Sequence, residues 1–343
     1  MPKVFQALAK KYGGIMTIYF GALRSVVLSD SKLIHEALVE NSKFTSDRLE
    51  PFIMGSTRMS LGMVFASGDH WRQGRRFILR AMRDFGMGKE IMVSKVHEEL
   101  AHFLDEIESL KGSVFDLEKP VALAITNIIC LHVFGKRFEN DDAQFNQFNK
   151  IIEVARTASP VETTFFFILP FLRYIKTPAA VKLMMQSQDF CSTILMPVLK
   201  EHRQNYDGAN IRDFPDLYIQ QERNNDPMDL DQFKCLVMEL FFAGSETTTM
   251  AIMWTIFYMT KYPDIQRKCQ EEIDAVIDTD RLPSTGDRSK LVYIDAVMNE
   301  VHRIVGIAPL SLFHANLDKD VTVGGHFNLF FSLFLLFMCV FLF

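Results

Sequence analysis

A run of small and polar residues interrupts an apolar stretch in the second half of the chain. Residues 241–249 read Phe-Phe-Ala-Gly-Ser-Glu-Thr-Thr-Thr. Glu246 and Thr247 offer a carboxyl and a hydroxyl group, both of which can move protons in catalysis. Packing alone does not explain this run of residues. A Gly inside a helix costs about 1 kcal/mol relative to Ala, and a buried Glu needs a partner. Two interpretations stay open: a solvent-facing patch, or a widened groove that faces a small ligand.

The element that carries this run is predicted to be one long helix. Apolar residues recur at helical spacing from Leu230 to Met259. Asp229 supplies a start signal and Pro263 a stop signal, so the predicted helix covers 229–262 and is about 50 Å long. A helix this long and apolar is typical of the centre of a large domain, where a polar interruption indicates a functional site.

Two other pairs of residues combine helical spacing with complementary chemistry. Trp71 and Arg75 are four positions apart, so on a helix an indole N–H and a guanidinium share one face and can bind a carboxylate together. The alternative for this pair is a solvated basic helix. Glu300 and Arg303 are three positions apart and predict an ion pair. Such a pair contributes about 0.3 kcal/mol when exposed and fixes geometry when buried.

Composition bounds the class of protein. The 343 residues are 48% apolar and 23% charged, which is ordinary for a soluble globular protein with one large domain or two. The 31 Phe and 18 Met residues are suited to fill a large core or an apolar pocket. The net charge of −5 gives no support for binding nucleic acid.

The cysteines and histidines do not predict a metal site. His97 and His102 are five positions apart, and five residues turn a helix by about 500°, so the two rings point roughly 140° apart. We therefore reject metal binding there. The five cysteines have no disulfide or zinc spacing, which favours a reducing, cytosol-facing environment; they are Cys130, Cys191, Cys235, Cys269 and Cys339.

The remaining pattern is mostly helical, followed by an abrupt change of character. A strand pair is predicted at 15–20 and 24–28, and helices are predicted at 3–12, 31–41, 90–110, 119–134, 264–277 and 291–305. Residues 327–343 then contain only Asn328 and Ser332 as polar side chains. A spanning helix needs about 20 apolar residues, with a lower limit near 17. This tail is a membrane anchor, an interfacial segment or a chance apolar extension.

Three motifs in one order along the chain resemble the cytochrome P450 superfamily, the haem-thiolate monooxygenases. They are Trp71-x-x-x-Arg75, Ala243-Gly244-x-Glu246-Thr247 and Glu300-x-x-Arg303. Segments such as 43–48 and 320–325 resemble the microsomal group that includes family 2, and the resemblance covers about residues 3–326. It implies a mainly α fold with a long central helix over a haem and small β-sheets at one side, incomplete at the C-terminus. The predicted domains are therefore 1–326, lacking the haem-ligand loop, and a tail of non-family sequence over 327–343.

The resemblance also implies a role for each matching residue. Thr247 and its acidic neighbour Glu246 would hold dioxygen and relay protons. Glu300 and Arg303 would hold the core around the haem. The expected cofactor-binding residues are Trp71, Arg75 and His314 at the haem propionates, with Arg48 as a further candidate, and Ala243 and Gly244 beside the oxygen-binding groove. The expected substrate-pocket residues are Phe65, Phe241, Phe242 and Leu310.

The implied activity is insertion of one oxygen atom into a small apolar substrate. The cofactor would be haem b, and electrons would reach it from NADPH only through a cytochrome P450 reductase. By family the protein would lie on the cytosolic face of the endoplasmic reticulum membrane and contact the membrane surface. Dioxygen and the apolar substrate would be its other partners.

The sequence also departs from the family pattern. The haem-ligand loop, Phe-x-x-Gly-x-Arg-x-Cys-x-Gly, is expected after Gly325, and none of the five cysteines has that context. The axial thiolate is therefore expected to be absent from this chain. The family's anchor helix is expected before Met1. The alternative function is a catalytically inactive truncated isoform or membrane-associated remnant. A third interpretation, an all-helical binding domain, leaves the three motifs as coincidence.

Overall fold

The structure is a computed structural model of the chain. It describes residues 2–20, 23–48, 59–86, 90–139, 142–144, 146–147, 150–151, 179–226, 228–277, 281–308, 311–316, 320–328 and 332–336. The chain divides into two compact units. The first unit comprises 1–74, 154–186 and 308–343, and the second comprises 75–153 and 187–307.

The first unit is built on a mixed sheet. Strands β1 (Ile15–Phe20) and β2 (Leu23–Leu28) form an antiparallel hairpin. Strand β6 (Ser332–Leu336) pairs parallel to β2 and antiparallel to β3 (His314–Asn316), so the order is β1-β2-β6-β3. Strands β4 (Val321–Val323) and β5 (His326–Asn328) form a separate hairpin. The hairpin predicted at 15–28 is therefore confirmed.

Three helices flank these strands: α1 (Pro2–Tyr12), α2 (Ser31–His35) and α3 (Ser42–Thr45). The predicted helix over 31–41 changes geometry after α2, where 36–40 form a π turn. The Asn41 amide N–H reaches the Glu36 carbonyl, five residues back, at 2.9 Å. The Ala37 carbonyl instead accepts the Thr45 hydroxyl at 2.6 Å, which turns the chain into α3.

The core of the first unit joins this π turn to the β4–β5 hairpin. Val26 and Leu28 of β2 pack with Val321 and Val323 of β4. Gly324 has a φ of +58°, and a Cβ atom there would lie 2.4 Å from the Leu33 side chain. Only glycine fits that turn, because it is both left-handed and in close contact with a helix.

The apolar tail contributes a strand to this sheet. Residues 332–336 are strand β6, while 337–343 lie outside the described residues. Within the part of the chain that is described, no helix is both long enough and apolar enough to cross a membrane. The anchor interpretation of the tail is therefore not confirmed.

The second unit is helical, in agreement with the predicted mainly α class. Helices α4 and α7 each begin in the first unit and end in the second. The helices are α4 (Gly68–Asp84), α5 (Glu90–Ser109), α6 (Glu118–Val133), α7 (Ala179–Gln204), α8 (Phe214–Arg223), α9 (Leu230–Lys261), α10 (Pro263–Val276) and α11 (Val292–Val305). The predicted boundaries of α5, α6, α9, α10 and α11 agree with these to within one or two residues.

Helix α9 lies against the other helices of the second unit. The Asp229 carboxylate caps its N-terminus by accepting the Asp231 and Gln232 amides at 2.6 and 3.2 Å. Its first half is buried, with Phe233 edge-on to Phe77 at 5.6 Å and stacked on Tyr218 at 4.4 Å. The helix therefore has a long buried segment before its polar middle.

A buried polar cluster joins α5 and α6 to the chain that follows α6. The Glu99 carboxylate, 2% exposed, accepts Asn127 Nδ2 at 3.0 Å and Arg137 Nε at 2.8 Å. The Asn127 side chain also pairs with both backbone groups of Phe138, at 2.8 and 2.9 Å. The buried carboxylate thus binds a buried amide and a partly exposed guanidinium at once.

Candidate functional site

The polar middle of α9 has one buried side and one open side. Phe241, Ser245 and Thr249 recur every four residues and are 2–3% exposed. Ala243 and Thr247, also four residues apart, are exposed. Residues spaced by four share a helix face, so the hydroxyl of Thr247 and the methyl group of Ala243 lie on the face that this unit leaves open.

The Thr247 hydroxyl donates to the Ala243 carbonyl at 2.5 Å. This bond to the preceding turn competes with the helical hydrogen bond and is known to bend helices. It also fixes the direction of the hydroxyl, whose oxygen retains lone pairs that can accept a proton or a hydrogen bond. Glu246 precedes it in the sequence and is half-buried, and its side chain leaves the helix about 100° away from that of Thr247.

Gly244 allows α9 to approach α6 closely. A Cβ atom at Gly244 would lie 2.8 Å from Ile129 Cδ1 and 3.6 Å from its Cγ1. The neighbouring Ser245 hydroxyl accepts the Thr126 hydroxyl of α6 at 3.3 Å in a buried contact. This contact was not predictable from local sequence, because Gly244 and Ile129 belong to helices that are distant in the chain. Helix packing thus explains the glycine independently of any ligand.

Gly244→Ala is expected to destabilise the protein by about 1 kcal/mol. Overpacking against Ile129 costs roughly 1–3 kcal/mol, and the better helix propensity of Ala offsets about 1 kcal/mol. In an Ile129→Val background the clashing Cδ1 atom is gone, so the same change is expected to stabilise by about 1 kcal/mol. Urea unfolding of the four proteins measures this coupling. An equal effect of Gly244→Ala in both backgrounds would contradict the packing argument.

Glu300 and Arg303 form the predicted ion pair on α11. Arg303 Nε and Nη2 donate to the two Glu300 oxygens at 2.6 and 2.5 Å. The hydrogen bond from Arg303 lowers the pKa of Glu300 and raises that of the guanidinium in turn. Arg303 Nη1 is buried and has no acceptor among the described residues. This arrangement suits a structural role, in which the Nη1 group of Arg303 is available to donate to a further acceptor.

His314 and Arg48 form a second polar group, in the first unit. His314 Nδ1 lies 2.8 Å from the Thr45 carbonyl and 3.1 Å from Arg48 Nη1. Arg48 also donates from Nε to the Val64 carbonyl at 3.1 Å. Burial, followed by the charge of Arg48, lowers the pKa of His314 to about 4. The imidazole is therefore neutral near pH 7.

The direction of this imidazole matters for a ligand. Nδ1 can accept from Arg48 or donate to Thr45, but not both, because the carbonyl only accepts and the guanidinium only donates. When it accepts, the ring proton is on Nε2, which makes no hydrogen bond within the described residues. An N–H beside a guanidinium is a suitable donor pair for a carboxylate.

The other predicted site residues are distributed over both units. Trp71 is half-buried in the first unit, and Arg75 is exposed in the second. Phe65 and Phe242 are half-buried. Phe241 packs on Phe134 of the second unit at 5.7 Å, in the interior between helices. Leu310 lies outside the described residues.

The two histidines that were rejected as metal ligands, His97 and His102, have different surroundings. His97 Nε2 contacts the Pro283 carbonyl at 2.8 Å, and His102 is exposed.

A buried group that the sequence analysis missed contains His202, Asp213 and Asp216. One local pattern could have drawn attention to this group: Asp213 directly precedes Phe214-Pro215, and an Asp followed by Pro in the first turn is a helix-start pattern.

The comparison with known proteins decides what this arrangement is. The family model of cytochrome P450 matches residues 1–329. The chain belongs to the cytochrome P450 family. Its relatives include microsomal family 2 members: cytochrome P450 2H2 of Gallus gallus, 32% identical over 328 residues, 2J2 of Homo sapiens, 31% identical over 328 residues, and 2L1 of Panulirus argus, 35% identical over 338 residues.

These cytochrome P450 matches cover 94%, 93% and 93% of this chain, respectively. The chain in turn spans 66%, 63% and 67% of the lengths of those three relatives. Members of the family bind haem b and receive electrons from NADPH through a reductase. The long helix α9, the small sheets and the matched range together confirm the mainly α cytochrome P450 fold.

Proposed function

We propose that the protein acts as a haem-dependent monooxygenase, which inserts one oxygen atom into a small apolar substrate with electrons from NADPH. The observation that carries the proposal is the open face of α9. There Thr247 donates to Ala243 at 2.5 Å, in a helix that is otherwise packed on α6. A proton-carrying hydroxyl on the open side of a central helix suits chemistry with a small ligand.

The donor groups of the first unit fit the carboxylates of a haem. Arg48 and His314 lie 3.1 Å apart, and the neutral imidazole has a ring nitrogen that makes no hydrogen bond within the described residues. We propose that His314 binds a propionate together with Trp71 and Arg75, and that Arg48 holds the imidazole in place. When bound with a thiolate ligand, the haem supplies the iron that activates dioxygen.

The residues of α9 would hold and move protons. Thr247 would release its bond to the Ala243 carbonyl and pass its proton toward the substrate side of the helix. Glu246 would restore that proton from solvent. Ala243 would leave room for dioxygen, and Phe65, Phe242 and Leu310 would contact the apolar substrate. We do not propose Gly244 beside dioxygen, because its Cβ position faces Ile129 of α6. Phe241 would not contact the substrate directly, because it is buried against Phe134; it would support the helix from the interior.

Glu300 and Arg303 would act as structural residues. Their ion pair orients the guanidinium of Arg303, and the buried Nη1 donor is available to an acceptor outside the described residues. The partner for electron transfer would be the NADPH-dependent cytochrome P450 reductase, at the cytosolic face of the endoplasmic reticulum membrane. These last assignments rest on the likeness to microsomal family 2.

A second candidate function is a catalytically inactive, membrane-associated form. The observation in its favour concerns the described thiols. Cys130, Cys235 and Cys269 are all buried between helices, and burial raises the pKa of Cys269. A thiol in such surroundings is a poor source of an axial thiolate.

One spectrum separates the two functions. The protein is loaded with haem, reduced and treated with carbon monoxide. The monooxygenase predicts the Soret band typical of a thiolate-ligated haem, whereas haem that binds without that band supports the inactive form. Carbonate extraction of protein with and without residues 327–343 then tests membrane association. Equal release of both proteins would exclude the tail as an anchor.

A further inference from the structure

A buried histidine joins the end of α7 to the start of α8. His202 and Asp213 are 8% and 5% exposed. His202 Nε2 lies 2.8 Å from Asp213 Oδ2, and His202 Nδ1 lies 2.9 Å from the Val198 carbonyl of the preceding turn. Asp213 also caps α8 by accepting the Asp216 amide at 3.1 Å. The contact therefore holds two helix ends together.

The two contacts of the His202 ring determine how many protons the pair carries. The Val198 carbonyl can only accept, so Nδ1 must carry a proton. In a neutral ring Nε2 then presents a lone pair to a carboxylate oxygen 2.8 Å away, which is repulsive. Both contacts are satisfied only when one more proton lies between Nε2 and Oδ2, on either partner.

The charges around this pair favour retention of that proton. Burial raises the pKa of Asp213, although the Asp216 amide and His202 act in the opposite direction. Asp216 accepts Arg212 Nε at 2.6 Å and Nη2 at 2.8 Å. Glu201, next to His202 on α7, is exposed. The group thus contains two carboxylates that face one arginine and the imidazole.

We propose that His202 and Asp213 share one proton in the folded protein and form a proton-dependent latch between α7 and α8. An unfolded histidine releases its proton above about pH 6.5. The folded pair keeps the proton, so folding binds one proton more than the unfolded chain does above that pH. Stability from the latch is then complete below about pH 6.5 and decreases as the pH rises.

The test compares the wild-type chain with Asp213→Asn. The Asn amide can donate to Nε2 of a neutral imidazole, and its oxygen can still cap α8, a position that Asn favours as much as Asp does. The variant therefore satisfies every contact without the shared proton. Between pH 7 and 8.5 we expect the folding equilibrium constant of the wild type, relative to Asp213→Asn, to fall by up to about tenfold per pH unit. Urea unfolding at each pH measures this.

His102→Gln is the matched control, because His102 is exposed on α5, and its pH profile is expected to follow that of the wild type. Identical pH profiles for the wild type and Asp213→Asn would overturn the proposal. If Asp213→Asn does not fold, the ¹⁵N shifts of the His202 ring in the wild-type chain decide the matter. Two protonated ring nitrogens, or a proton shared with Asp213, at pH 7.5 support the latch. A neutral ring beside an ionised Asp213 excludes it.

Discussion

Glu99→Ala is expected to lower the free energy of unfolding by about 3 kcal/mol, because it leaves a buried amide and a guanidinium without their common acceptor. Glu99 is 2% exposed and holds Asn127 and Arg137 at once. The Arg137 side chain retains 22% exposure, so the penalty lies at the lower end of the range for broken buried pairs. With total stabilities of about 5–15 kcal/mol, a large part of the protein's stability depends on this carboxylate.

The measurement is urea unfolding followed by circular dichroism. Glu98→Ala is the control, since Glu98 is the adjacent residue on α5 and is exposed. Its expected effect is within about 0.5 kcal/mol of zero. Arg137→Met tests the same cluster from the other side, because among the described residues Glu99 then keeps Asn127 as its side-chain donor. Similar losses for Glu98→Ala and Glu99→Ala would show that the cluster is not the cause.

Thr247→Ala is expected to reduce product formation by the haem-loaded protein about 10²-fold, the lower end of what a positioned proton donor contributes. The Thr247 hydroxyl lies on the open face of α9 and donates to the Ala243 carbonyl. Its removal deletes the proton carrier but improves helix propensity slightly. Activity should therefore fall while the free energy of unfolding stays within about 0.5 kcal/mol of the wild-type value.

Thr248→Ala is the matched control for this change. Thr248 is also exposed and follows Thr247 directly, but it points about 100° away around the helix. It is expected to leave product formation unchanged, and Thr247→Ser should restore most of the activity because it keeps the hydroxyl. If Thr247→Ala stays active, the proton role assigned to Thr247 is wrong. A loss of haem binding in this variant would point to folding instead.

Local signals made most of the fold predictable. The Asp229 cap and Pro263 fixed α9 to within a residue at each end. Alternating side chains fixed the hairpin of β1 and β2. Helical spacing also placed Glu300 and Arg303 in contact. Each of these features depends on residues that are close in sequence, where propensity and periodicity act directly.

Contacts between distant segments were not predictable. Gly244 meets Ile129 from a different helix, and His314 meets Thr45 across most of the chain. The strand at 332–336 belongs to the apolar tail 327–343, whose length also reaches the lower limit for a spanning helix, and its pairing with β2 and β3 makes it a strand. Tertiary pairing overrides local preference in such segments.

The pairing of β2 with β6 also dictates an order of events during folding. Ser25 and Leu333 pair across roughly 300 intervening residues, a closure that adds entropy cost and delays contact formation. While the chain is synthesised, the edge of β2 stays without its neighbour until residues 333–336 have emerged. An open edge of this kind can pair with other chains. This edge in the first unit therefore stays open to such pairing for longer than the helices of 187–307, which find their partners in segments that are already synthesised or close in sequence.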